Sequence, residues 1–206
     1  MPSMSNHWVR LVAASMVLGL AGTAQAAGDA QRGREIGYTC LGCHGIANYK
    51  NVYPTYSVPK LVGQHPEYIV AALKAYRGKQ RSHGTMYAQA SSLSDQDMED
   101  VAAYLADAVL PAAAAPSGTA PQKVTELCSA CHGANGVGIT GDYPTLAGQH
   151  ADYIARALVE YQKGDRKNPI MGTFAGQLSA AEVKAIAEYY GAQRPALQTV
   201  HRPNWL

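Results

Sequence analysis

All four cysteines of this 206-residue chain fall into one pattern used twice, Cys40-Leu41-Gly42-Cys43-His44 and Cys128-Ser129-Ala130-Cys131-His132. C-x-x-C-H is the attachment pattern for c-type haem. The spacing follows from the chemistry: two thiols about one helical turn apart can each add to a haem vinyl group, forming thioethers. The histidine that follows then lies under the ring and ligates the iron from one side. Other uses of paired cysteines fit less well. A thioredoxin-like pair needs a βαβ context, and no strand pattern surrounds either motif. A four-cysteine zinc site does not need His after both pairs, and these pairs lie 88 residues apart, wider than ribbon spacings. Disulfides within each pair would close tiny loops and staple little. The motifs therefore predict two covalently bound haem c groups, attached at Cys40, Cys43, Cys128 and Cys131, with His44 and His132 as iron ligands.

The first residues read as a leader. Arg10 is the only formal charge before Asp29, residues 11–21 (LVAASMVLGLA) are apolar, and Ala24-Gln25-Ala26 has the A-x-A form of a secretory cleavage site. A spanning helix needs roughly 20 predominantly apolar residues, and Gly22, Thr23 and Gln25 interrupt this one. A signal peptide over 1–26, cleaved after Ala26, is expected, placing the mature chain outside the cytoplasm. With 17 Lys and Arg against 15 Asp and Glu, the formal net charge is +2. That near-neutrality argues against a nucleic-acid partner.

An internal repeat supplies the other iron ligand. The stretch from Pro59 to Ile69 (PKLVGQHPEYI) matches Pro144 to Ile154 (PTLAGQHADYI) at an offset of 85. The register continues through Leu73 and Leu158, Tyr76 and Tyr161, Ser94 and Ser179, and Tyr104 and Tyr189. The cysteine motifs are offset by 88, so the first copy has three extra residues between His44 and Pro59. Iron in an electron carrier commonly takes Met opposite His, because a thioether raises the potential. Of the methionines after the first haem motif, Met86 maps onto Met171, whereas Met98 maps onto Val183 and sits inside a helix pattern as a packing residue. Met86 and Met171 are the expected distal ligands, carried on loops.

Local patterns predict an all-α chain: two tandem modules, each with about three main helices around a covalent haem. Pro66 can open one helix, with Ile69, Leu73 and Tyr76 forming an apolar stripe and Gly78 ending it. Ile154, Leu158, Tyr161 and Gly164 repeat that arrangement. Capping-box patterns start the last helix of each copy at Ser94-Asp-Gln-Asp97 and Ser179-Ala-Ala-Glu182. Another helix precedes each haem motif, roughly over 30–38 and 120–127. Such a module has a thin core, so folding is expected to depend on haem attachment. The expected boundaries are 27–110 for the first module, 111–121 for a Pro- and Ala-rich linker, and 122–191 for the second module. Residues 192–206 form a tail with no counterpart in the first copy.

Each half resembles a class I cytochrome c domain: C-x-x-C-H, then P-x-L, then a late methionine. The tandem arrangement, with P-x-L-x-G-Q-H in both copies, resembles the cytochrome c4 family of two-haem bacterial electron carriers. By position, the resemblance implies His44 and Met86 on one iron and His132 and Met171 on the other. It assigns the carbonyls of Pro59 and Pro144 as acceptors for the ligand histidines, and Leu61 and Leu146 to packing on the haems. It also implies that the haem propionates approach one another between the domains, with the protein acting in the periplasm as a monomer. The redox partners implied are a bc1-type donor and a terminal oxidase, with loose association with the membrane. The first copy departs from the family's Gly- and Asn-rich turn, reading Ala47 to Tyr56 (ANYKNVYPTY), which allows unequal shielding and unequal potentials.

Other matched residues suggest lesser roles. His65 and His150 precede helices, where capping or a propionate contact is expected. His83 pairs with Asn168 and reads as an exposed loop residue. Tyr76 and Tyr161 are placed to reach a propionate or the other domain. The function expected is a redox relay with no catalysis of its own. A two-haem peroxidase is the alternative, but it needs an open iron position, which two register-matched methionines oppose. A sensor needs an output domain for which the chain has no room.

Overall fold

The computed structural model describes residues 28–106, 114–194 and 197–200. The expected leader lies outside these residues. Regular structure among them is helical throughout, with three isolated antiparallel bridges, Lys50 to Ser57, Val62 to Gln198 and Arg81 to Arg166.

The first module begins with α1 (Ala30–Ile36), capped by the Asp29 carboxylate, which accepts from the N–H groups of Gln31 and Arg32. A 3-10 turn (Gly37–Cys40) leads into α2 (Leu41–His44), so the haem motif itself is helical. Three longer elements follow: α3 (Pro66–Arg77), α4 (Gly84–Ser91) and α5 (Asp95–Ala106). Met98, Val101, Ala102 and Leu105 make the buried stripe of α5 at helical spacing, facing Ile69, Val70 and Leu73 of α3. Met98 is a packing residue, as its helical register predicts. α1 lies directly on α5: a Cβ at Gly33 would sit 1.9 Å from the Asp100 carbonyl oxygen, so only glycine allows this approach. Arg32 bridges to Asp97 and Asp100 and ties the two helices together.

The second module repeats the plan with α6 (Ser129–His132), α7 (Ala151–Lys163), α8 (Pro169–Ala175) and α9 (Ala180–Ala192). The helix expected over 120–127 is present from 122 and widens into a π turn from Val124 to Cys128, a form found often at functional sites. Ser179 and Glu182 form the capping box, and Ser94 and Asp97 make the same reciprocal bonds with the shorter acid. The haem-proximal turn differs between copies. In the second, Gly136 (φ 80°) packs so closely that a Cβ would lie 2.8 Å from the Ala147 nitrogen. In the first, the longer segment makes an excursion closed by Asn51 N–H to Tyr56 C=O and Val58 N–H to Tyr49 C=O, leaving Val52 and Tyr53 exposed.

The modules meet through contacts that repeat in the register of the sequence. Gln64 accepts from Thr145 N–H (2.8 Å) and donates to Thr145 C=O (3.1 Å). Gln149, its counterpart, accepts from Lys60 N–H (3.0 Å) and donates to Lys60 C=O (2.9 Å). Ser82 N–H donates to Asp165 C=O and Lys167 N–H to Gln80 C=O, at 2.8 and 2.7 Å. The interface is thus nearly twofold, the duplicated modules acting as the two halves of an isologous contact. One asymmetric contact is made by Asp152, which accepts from Ser57 and Lys50 of the longer first-copy loop.

The tail is a strap. Leu197 N–H donates to Ala147 C=O, Gln198 exchanges both backbone bonds with Val62, and Val200 N–H donates to His44 C=O. Leu197 and Val200 are buried, and Val200 joins the core of the first module.

Candidate haem sites

The two haem motifs occupy equivalent places. Each ends a short helix whose last residue is the histidine, and each histidine is buried. His44 Nδ1 lies 2.8 Å from the Pro59 carbonyl oxygen, and His132 Nδ1 lies 2.9 Å from that of Pro144. A carbonyl can only accept, so both rings donate from Nδ1, and Nε2 carries the lone pair. That bond also fixes ring orientation, as the partners of metal-bound histidines commonly do. Burial holds both imidazoles below their ordinary pKa, against the opposing pull of the proline carbonyls. They are neutral bases, the form that binds metal.

None of the four cysteines is in a disulfide. Burial raises the Cys40 thiol and pushes Cys128 up to about 11, so both are held as thiols rather than thiolates. Leu61 and Met86 both pack against the core of the first module, and Leu146 and Met171 against that of the second.

The methionines correct one expectation. They stand on helices, in the first turns of α4 and α8, rather than on loops. His83 Nδ1 accepts from Met86 N–H (3.2 Å), and Asn168 Oδ1 accepts from Met171 N–H (3.0 Å). His83 is therefore the cap that positions the methionine turn, half-buried rather than an exposed loop residue. Its ring also meets Tyr76 edge-on, with centroids 6.3 Å apart. Imidazole nitrogen and Asn oxygen make the same acceptor, which is why two unlike residues share the register. Helices of seven or eight residues are too short to show a period, so sequence pattern missed them. His65 does not cap α3: its side chain points across the interface, its Nε2 3.2 Å from Gly138 C=O.

The donor set suits covalent c-type haem in both modules: two unpaired thiols, an imidazole tautomer with Nε2 available, and a thioether bordering the same core. Three hydrogen-bonded or register-matched positions agree between copies whose intervening sequence differs in length.

Comparison with known proteins agrees with this geometry. Residues 30–108 and 120–190 each match the family Cytochrome c. Cytochrome c4 of Pseudomonas aeruginosa is 35% identical over 195 residues, covering 87% of this chain and 96% of that protein. A protein of Stutzerimonas stutzeri named thiosulfate dehydrogenase electron acceptor is 32% identical, with 90% of this chain and 94% of the relative covered. The structure of reduced cytochrome c4 from Pseudomonas stutzeri superposes with a TM-score of 0.64 at 29% identity, covering 82% of this chain and all of that one. With two matched modules and this coverage, the chain belongs to the cytochrome c4 family, a two-haem electron-transfer cytochrome with two covalent haem c groups.

Proposed function

We propose that the chain relays single electrons in the periplasm from a respiratory donor such as the bc1 complex towards terminal oxidases, without catalysing a reaction of its own. Haem c supplies reversible one-electron exchange at iron; the protein supplies ligation, burial and docking. Cys40 and Cys43 hold the first haem, and Cys128 and Cys131 the second. His44 and Met86 saturate one iron, His132 and Met171 the other, while Pro59, Pro144, Leu61 and Leu146 orient and cover them. The observation that carries this reading is the duplicated Nδ1-to-carbonyl bond at 2.8 and 2.9 Å, which presents Nε2 in both modules. Saturated irons with fixed ligands favour electron transfer over peroxide cleavage, which needs an open site. The relative named as an acceptor for thiosulfate dehydrogenase supports a donor range wider than the bc1 complex. The chain is expected to act as a monomer, with modules at 27–110 and 122–191 joined by the 111–121 linker. No described helix is long and apolar enough to cross a membrane, which is compatible with loose surface association.

The test is a pair of turnover assays on the purified two-haem protein. Reduction by a bc1 complex and reoxidation by a terminal oxidase, with no consumption of peroxide, is the expected result. Rapid peroxide turnover with sluggish exchange would reverse the assignment.

A further inference from the structure

Arg81 and Arg166 occupy matching positions where the modules join, bridged backbone to backbone. Arg166 is 4% exposed. Its Nη2 donates to Tyr68 OH (2.9 Å) and its Nη1 to Tyr153 OH (3.3 Å), while Arg81 Nη2 also donates to Tyr68 OH (3.2 Å). The guanidinium of Arg81 lies over Tyr68 and Tyr76, and that of Arg166 over Tyr153 and Tyr161.

The site has more positive charge than partners. Among the described residues, neither arginine forms a salt bridge. Arg166 Nε is buried with no hydrogen-bond partner, the one such side-chain atom among the described residues. A buried donor left unpaired is destabilising, and a buried charge without a counter-ion is more so. The excess is felt by Tyr68. Burial should raise its phenol pKa, yet the two guanidiniums outweigh burial and bring it down to about 8. The cluster demands an anion.

The location names the anion's chemistry. Tyr76 borders the first core and Tyr161 the second, the two cores that the haems complete. Arg81 and Arg166 each stand five residues before a methionine ligand position. Each haem c carries two propionate carboxylates, and planar guanidinium matches carboxylate through paired donors.

We propose that Arg166 and Arg81 form a carboxylate clamp shared by both haems, with Arg166 Nε donating to a propionate, and that this clamp couples the two potentials. The inference rests on the two-haem reading above. Arg166 bonds a tyrosine of each module, Tyr68 and Tyr153, and Arg81 shares Tyr68 with it, so the paired charge acts on both irons. A positive charge favours the reduced, less positive iron and holds both potentials up.

The experiment is a spectroelectrochemical titration of the holoprotein and of Arg166→Gln, Arg166→Lys and Arg81→Gln, at pH 5 to 8, with haem content and ligation checked by absorption. Arg166→Gln and Arg81→Gln are expected to keep both haems and both ligand sets and to lower both midpoints. A tenfold weakening of reduction at each corresponds to about 59 mV. A propionate freed of its arginine also gains a pKa nearer neutrality, so the midpoints should begin to rise as pH falls. Arg166→Lys keeps the charge but loses the fork, and should retain most of the potential. Unchanged midpoints in both Gln variants, or a shift confined to the haem of the mutated module, would overturn the clamp. Midpoints of the parent that move with phosphate concentration at constant ionic strength would assign the site to a solution anion and overturn it equally. A parent without two six-coordinate haems refutes the underlying two-haem reading instead.

Discussion

Gln64→Ala isolates the contribution of the module interface. The Gln64 side chain is buried and makes three bonds: it accepts from Thr145 N–H and His65 N–H and donates to Thr145 C=O. Truncation removes all three and strands the Thr145 backbone pair, on a residue only 3% exposed. Each stranded buried group costs about 1–3 kcal/mol, so the two cross-module bonds alone place the loss near 2–6 kcal/mol. Gln149→Ala should cost a similar amount, because Gln149 repeats the pattern on Lys60. If either change alone opens the interface, the double variant will cost clearly less than the two single losses added. Urea unfolding of the holoprotein, followed at the Soret band and by far-ultraviolet dichroism, reads these quantities, with separation of one transition into two as the sign of uncoupled modules. A change in stability below about 0.5 kcal/mol in Gln64→Ala would refute the claim that these amide pairs hold the modules together.

Gly33→Ala should cost about 2–4 kcal/mol, since its Cβ would meet the Asp100 carbonyl at 1.9 Å and force α1 off α5; thermal unfolding checks it. Acid should loosen the same helix pair. Asp97 is held down to about 2 by the Ser94 hydroxyl and amide and by Arg32; burial pushes Asp100 up, but Asp29 N–H, Gln96 and Arg32 bring it below the ordinary value. Depressed carboxylates stabilise fully above the ordinary value near 3.8 and lose that contribution as pH falls towards 2. Stability measured from pH 5 to 2 should therefore fall in that window, and fall less in Arg32→Gln. Val200→Asp buries a charge in the first core and should destabilise the first module more than the second, resolved by hydrogen exchange of α3 against α7.

Much of this arrangement is legible in the residues. The cysteine motifs, the register of 85 and the packing role of Met98 all follow from pattern, because haem attachment restricts residue type and duplication restricts position. Tertiary partners were not legible. Gln64 and Gln149 stand in the matched stretch, and Arg81 and Arg166 share the same register, yet a polar residue's role depends on what faces it across an interface. An identical polar residue retained in both copies was the available signal. The tail offered less: Leu197 and Val200 look like any short apolar pair until their backbone bonds to Ala147 and His44 are seen. His83 was misread because an imidazole rarely serves as a helix cap, and only its partner Asn168 hinted at one.

The central claim is that two irons are each gripped by one histidine and one methionine. Far-red absorption of the fully oxidised protein, where methionine bound to ferric iron gives a charge-transfer band, tests it most directly when haem content is counted in the same sample. The account predicts two haems per chain and a band that loses about half its intensity in Met86→Ala, the other half in Met171→Ala, and all of it in the double variant. A band untouched by either substitution, or one haem per chain, would contradict it.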